Sequence, residues 1–141
     1  MKRQLLSISE LLQSASDLSA AQYRVEALQN SDMPAVRTIL KYLLDPNIKF
    51  LLPETDPPYA PSKFDEPSRL YNEARRLYLF VEDGHETLTQ RRREELFIGL
   101  LESVSPNDAR LLVNMKNKVN PYPGLTMAVV NKAFPGLFTN A

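Results

Sequence analysis

A chain of 141 residues is long enough to bury one hydrophobic core, so its length favours a single domain spanning residues 1–141. The absence of cysteine excludes disulfides and thiolate metal sites, and the single histidine, His85, excludes a multi-histidine metal site. Lys plus Arg and Asp plus Glu number 17 each, and this zero net charge is unusual for a nonspecific nucleic-acid binder.

The first helix is predicted from an apolar stripe that begins at Leu5 and continues at three- and four-residue spacing to Ala15. Ser7 and Ser9 interrupt the apolar run at the N-terminus, so we expect no secretory signal. No stretch approaches the roughly 18 consecutive apolar residues that a membrane helix needs. We therefore expect a soluble, cytoplasmic protein without a membrane partner.

Two further helices are predicted before the first dense group of prolines. The spacing of Ser19 and Gln22 predicts a capping box and a second helix that runs to about residue 29. Ser31 or Asp32 is predicted to cap a third helix with Pro34 in its first turn, and Pro46 ends it.

Residues 45–67 hold six prolines, which forbid a continuous helix and favour extended geometry. Tyr59 and Phe64 are predicted to anchor this segment to the body of the protein. Its apolar residues, from Ile48 onward, indicate a packed segment, because a flexible linker between domains is usually polar.

Four more helices are predicted after the prolines. The fourth covers about residues 67–83 with Tyr71 and Tyr78 in the core, and the fifth begins at Thr87 or Thr89. The sixth begins at residues 105–108, where a serine cap, a proline and an acid follow one another. A turn at Gly124 leads to a last helix at residues 125–134. The predicted fold is an all-α bundle of six or seven helices.

The charge is unevenly distributed, since residues 109–141 contain no acid but include Arg110, Lys116, Lys118 and Lys132. Phosphate recognition uses cations together with free backbone amides at helix N-termini. Gly124 would let the backbone approach a ligand closely, and the amides of Leu125 and Thr126 would be free at the start of the last helix. This region is the candidate for phosphate binding.

Three stretches resemble the N-terminal domain of phage-type ATP-dependent DNA ligases, in the same order. The closing segment carries Asn131, Lys132 and a Phe-Pro-Gly-Leu run at residues 134–137. Residues 43–50 are similar to an Asp-Pro-Asn-Ile-x-Phe turn in those domains, and residues 100–113 to a passage between two of their helices.

The resemblance implies a helical domain that binds backbone phosphates across the minor groove of duplex DNA with little sequence preference, encoded by a phage and acting in the infected cell. No Lys-x-Asp-Gly motif of the ligase nucleotidyltransferase domain is present, so we expect a non-catalytic chain with no cofactor, catalytic residue, metal or small-molecule substrate. Charge and resemblance together assign these residues to DNA: Lys116, Lys118, Tyr122, Gly124, Leu125, Thr126 and Lys132.

The alternative is a protein-interaction module that uses the same fold to hold a host or phage component of replication, transcription or the virion. The zero net charge, the acids between Asp65 and Glu95, and the apolar, proline-rich residues 48–61 favour it. His85 and the Arg91–Arg93 run fit surface positions.

Overall fold

The computed structural model describes residues 6–63, 67–85 and 87–138. This part of the chain contains seven α-helices, one 3₁₀-helix at Ala74–Phe80 and no strand beyond an isolated antiparallel bridge between Phe50 and Val81. The all-α prediction is confirmed. The α-helices are α1 (Ile8–Ser16), α2 (Ala21–Asn30), α3 (Pro34–Leu44), α4 (Arg69–Glu73), α5 (Gln90–Ser103), α6 (Pro106–Lys116) and α7 (Met127–Ala133).

The N-terminal caps differ from the predicted ones. α1 begins with a capping box between Ser7 and Glu10. The box predicted at Ser19 is wrong, because α2 starts one residue later than expected and its N-cap is Ala20. Met33 is the N-cap of α3, because Pro34 occupies the first helical position. The predicted caps of α3 therefore lie before the N-cap.

The fourth predicted helix is not one continuous α-helix. α4 has only five residues and is followed directly by the 3₁₀-helix. In a 3₁₀-helix every third side chain faces the same side, which places Ala74, Leu77 and Phe80 in the core. Tyr78 is turned outward and is 45% exposed, so its predicted core position is wrong. Tyr71 is half-buried, and its hydroxyl donates to the carbonyl oxygen of Leu6 at 2.8 Å.

The helices pack around one hydrophobic core to which every α-helix contributes. α7 packs mainly against α2, and α6 packs against α1, α3 and α5. The last helix begins at Met127, two residues later than predicted, with Thr126 as its N-cap. Within the described ranges, no helix is both long and apolar enough to cross a membrane.

Residues 46–61, called the strap below, run across the body and contain the proline-rich segment. Phe50, Leu52 and Tyr59 pack against the core, which confirms a packed segment. The side chain of Gln90 donates to the Leu51 carbonyl oxygen at 2.7 Å. The other predicted anchor, Phe64, lies outside the described residues.

Candidate functional site

Lys116 ends α6 and holds the strap against the body. Its side chain is buried in spite of its charge, with 7% of the residue exposed. The Lys116 ammonium donates to the carbonyl oxygen of Pro53 at 2.8 Å and to Oδ1 of Asn117 at 2.7 Å. The interaction joins residues that are 63 positions apart in sequence.

Lys118 connects the ends of two helices. Its ammonium donates to the carbonyl oxygens of Tyr42 at 2.7 Å and Asp45 at 2.8 Å, where α3 ends. Helix carbonyls in the last turn carry partial negative charge, so a lysine there is a favourable cap. The ammonium also lies 5.7 Å from the ring centroid of Phe50.

The backbone of Lys118 completes the end of α6 in a Schellman motif. The Lys118 amide donates to the Met115 carbonyl oxygen at 3.0 Å, and the Val119 amide donates to the Asn114 carbonyl oxygen at 2.9 Å. Lys118 has φ 57°, in the left-handed region that glycine usually occupies at this position. A lysine therefore sits where helix geometry prefers glycine, and its side chain makes two bonds that glycine lacks.

Lys49, Lys116 and Lys118 line one open groove of about 740 Å³, called the lysine groove below. The strap forms one wall and the end of α6 forms the other; Glu54 and Asn117 also line it. A lysine ammonium has three N–H donors. Lys116 and Lys118 each use two, and the third has no partner among the described residues.

Carbonyl oxygens rather than carboxylates accept the hydrogen bonds of these two ammonium groups. Burial lowers the pKa of Lys116, and the charges of Asp56 and Glu54 oppose that shift. Burial also lowers the pKa of Lys118, opposed by the charge of Asp45. Neither lysine forms an ion pair within 4.0 Å in the described part of the chain. The groove therefore presents positive charge that an anion can still contact.

Tyr122, Gly124 and Leu125 are buried in the turn before α7. The Gly124 amide donates to the Ser16 hydroxyl at 2.9 Å, and an added Cβ would lie 2.3 Å from the Ser16 carbonyl oxygen. The Leu125 amide donates to the Tyr122 carbonyl oxygen at 2.9 Å, so the prediction that this amide is free is wrong. The close packing of Gly124 against α1 is therefore enough to require glycine at residue 124, with or without a ligand.

Tyr122 also lines a second groove, between α1 and α6, together with Arg110 and Asn114. Burial raises the pKa of its phenol well above the ordinary value, and the charge of Asp108 adds to the shift. The Tyr122 ring is 3% exposed, which leaves little surface for stacking on a base.

Thr126 and Lys132 are exposed and belong to α7 and its cap. The Thr126 hydroxyl accepts from the Val129 amide at 3.2 Å. The exposed positions of α7 and its cap carry no acid, and Lys132 is the cation among them. The structure thus separates the predicted DNA residues into the lysine groove, a buried turn and the solvent side of α7.

Two important residues escaped sequence reasoning. Lys49 faces Lys116 and Lys118 across the lysine groove only because the strap folds back over the end of α6. Asp108 was read as a local helix-start signal, but its Oδ1 accepts from the backbone amide of Ser9, 99 positions away, at 2.9 Å. No local sequence pattern indicates that Lys49 lies near Lys116 or that Asp108 bonds to Ser9.

His85 is half-buried, and its Nδ1 is shielded from solvent, so the predicted exposed position is wrong. In the Arg91–Arg93 run, Arg91 and Arg92 are exposed and pair with Glu95, whereas Arg93 is buried. Among the described residues, no group of three or more His, Cys, Asp or Glu side chains is placed to hold a metal ion.

Residues 11–120 match the model of one protein family, described as a family of unknown function, DUF6433. The chain belongs to this family. The DUF6433 match includes Lys49, Lys116 and Lys118 and ends before Tyr122. The lysine groove therefore lies inside the DUF6433 region, and the turn at Gly124 and α7 follow it. No curated protein and no solved structure matches the chain.

Proposed function

We propose that this DUF6433 chain is a non-catalytic module that binds duplex DNA through backbone phosphates. The observation that carries the proposal is the lysine groove, in which three lysines face one open space. The N–H donors of Lys116 and Lys118 that have no described partner favour an anionic ligand, because a phosphate oxygen accepts hydrogen bonds from ammonium groups.

Two features support DNA over a small anion. The resemblance to ligase N-terminal domains covers residues 43–50, which contribute Lys49 and Phe50 to the groove. The solvent side of α7 offers Lys132 and no acid, as a second position for the phosphate backbone. Phosphate contacts carry no base information, so little sequence preference follows. The proposal includes a phage-encoded protein acting in the cytoplasm of the infected cell.

The proposal is tested by measuring binding to a short duplex at increasing salt. Affinity should fall linearly on a log–log plot, with a slope set by the number of phosphates contacted. Affinity that is undetectable at about 50 mM salt, where nonspecific binders gain strongly, would reject it.

Lys49 is the cleanest probe of the groove, because its side chain is exposed and forms no hydrogen bond or ion pair in the described structure. Lys49→Glu should weaken DNA binding about tenfold at low salt and reduce the salt slope by about one. Lys63→Glu, an exposed lysine outside the groove lining, is the matched control. Lys132→Glu measures the contribution of α7 separately.

A protein-interaction module is the second candidate function, and exposed apolar side chains favour it. Leu18, Tyr23 and Met127 are 37%, 47% and 40% exposed, and they belong to the α1–α2 loop, α2 and α7. α2 and α7 pack against each other. A stoichiometric protein partner that survives nuclease treatment and is lost in Tyr23→Ser would favour this function over DNA binding.

A further inference from the structure

The lysine groove contains an internal source of negative charge. Glu54 lines the groove, and both Glu54 and Asp56 act on the Lys116 ammonium through their charges. Both acids are exposed and lie on the strap, directly after Pro53, whose carbonyl oxygen Lys116 binds. Residues 54–56 are called the acidic turn below.

The acidic turn and an incoming phosphate would compete for the same cation. Lys116 is attracted to Glu54 and Asp56 without a direct ion pair in the described structure. A phosphate at the free donor of Lys116 would stand close to these two carboxylates, and like charges repel. The acidic turn therefore lowers the affinity of the groove for a phosphate.

We infer that the acidic turn is an intramolecular competitor of the phosphate, so that the strap regulates the affinity of the lysine groove for DNA. The inference rests on the proposed function, since it assigns a regulator to the same groove. Within residues 54–59 of the strap, no hydrogen bond to the body is described; the nearest ones are Lys116 to the Pro53 carbonyl oxygen and the Ala60 amide to Glu102 at 2.9 Å.

Two backbone hydrogen bonds hold the part of the strap that precedes the acidic turn. Leu51 is fixed by its amide, which donates to the Phe80 carbonyl oxygen at 2.8 Å, and the Glu82 amide donates to the Lys49 carbonyl oxygen at 2.8 Å. These bonds hold the strap before the acidic turn. Leu52 and Tyr59 pack against the core on either side of the acidic turn, so the acidic turn itself is the part that phosphate binding shifts.

The test removes the two charges without changing side-chain size. Glu54→Gln/Asp56→Asn should bind a short duplex about five-fold more tightly than the wild type at low salt, and the gain should shrink as salt screens the charges. Asp17→Asn/Glu26→Gln changes the net charge equally at two exposed positions of α1 and α2. An equal gain in this control would overturn the inference, because net charge alone would then explain it.

A second readout follows the strap itself. Hydrogen exchange of the Ala60 amide should become faster when the duplex saturates the wild type, because a shift of the acidic turn loosens the exposed hydrogen bond of this amide to Glu102. Unchanged or slower exchange at saturation contradicts the inference.

The two proposals fail in different ways. Absence of duplex binding by both the wild type and the Glu54→Gln/Asp56→Asn variant rejects DNA as the ligand. Titration with sodium phosphate then tests whether the acidic turn competes with phosphate. Binding is followed by the NMR chemical shift of the Asn117 side-chain amide. Tighter phosphate binding by the variant than by the wild type keeps the competitor, and equal binding overturns it.

Discussion

The lysine groove and the junction of α1 with α6 both take charged groups away from water, but they satisfy those groups differently. In the groove, two ammonium groups bond to carbonyl oxygens, and one donor of each has no partner among the described residues. At the junction, Asp108 is fully buried, and its Oδ1 accepts from the Ser9 amide. The open arrangement leaves capacity for a ligand, whereas the closed one joins two helices and leaves Oδ2 of Asp108 buried without a hydrogen bond in the described structure.

The junction is closed because two helix N-termini meet there. Ser9 lies in the first turn of α1, and Asp108 lies in the first turn of α6. A carboxylate near a helix N-terminus is stabilised by the partial positive charge of the free amides. Burial nevertheless raises the pKa of Asp108, and the hydrogen bond from the Ser9 amide partly offsets that shift.

The largest effect is expected at the closed junction. Asp108→Ala leaves the buried Ser9 amide without an acceptor, so the free energy of unfolding should fall by about 2 kcal/mol. Urea unfolding measures the change, and Asn107→Ala, at an exposed neighbour, is the control. A loss no greater than in the control would mean that the junction does not stabilise the fold.

The next effect separates the two roles of Lys118. Lys118→Met removes both bonds to the end of α3, so stability should fall by about 1.5 kcal/mol. Lys118→Gly loses the same bonds but gains about 1 kcal/mol from the left-handed backbone, so it should be less destabilised. The comparison is made by urea unfolding. Equal losses would show that the positive φ carries no strain at this position.

A smaller, pH-dependent effect distinguishes charge from hydrogen bonding at Asp108. Its raised pKa means that the folded chain binds a proton there more tightly than the unfolded chain. The wild type therefore gains stability as pH falls through the folded-state pKa, and the gain is complete below the unfolded value of about 3.9. Asp108→Asn lacks this gain.

The measurement is the difference in unfolding free energy between wild type and Asp108→Asn across pH. The difference should shift in favour of the wild type as the pH falls toward about 4. The exposed pair Asp32 and Arg37 supplies the opposite case, since their hydrogen bond lowers the pKa of Asp32. A difference that is independent of pH would contradict the raised pKa of Asp108.

The smallest effect on stability is expected in the open groove. Lys49→Met removes an exposed charge without breaking a hydrogen bond of the described structure, so stability should change by less than about 0.5 kcal/mol. Duplex affinity should fall in the same variant. A large loss of stability would show that Lys49 holds the strap and is not free for a ligand.

Local signals account for much of the fold. Thr89 caps α5 as one of the two predicted caps, and Pro106 begins α6 as predicted, because these signals act within one helical turn. The buried face of α3 follows from its periodicity. The 3₁₀-helix escaped prediction because three- and four-residue periods both fit its short apolar pattern.

The site was less predictable than the fold. The lack of acids after residue 109 drew attention to Lys116 and Lys118, and both line the groove. Their partners lie on the strap and at the end of α3, 63 to 76 positions away, and no local spacing encodes such pairs. Lys49 was missed for the same reason.

Lys118 also combines two features that can be sought in other sequences. Most helices that end in a Schellman motif have glycine at the left-handed position. Glycine there stabilises a chain in which the side chain at that position has no other role. A related chain that joins the ends of α6 and α3 through the same two hydrogen bonds must keep a long cationic side chain at the position of Lys118, in spite of its less favourable backbone conformation. The combination to seek in other sequences is therefore a lysine two positions after the last residue of α6, together with a helix that ends near Asp45.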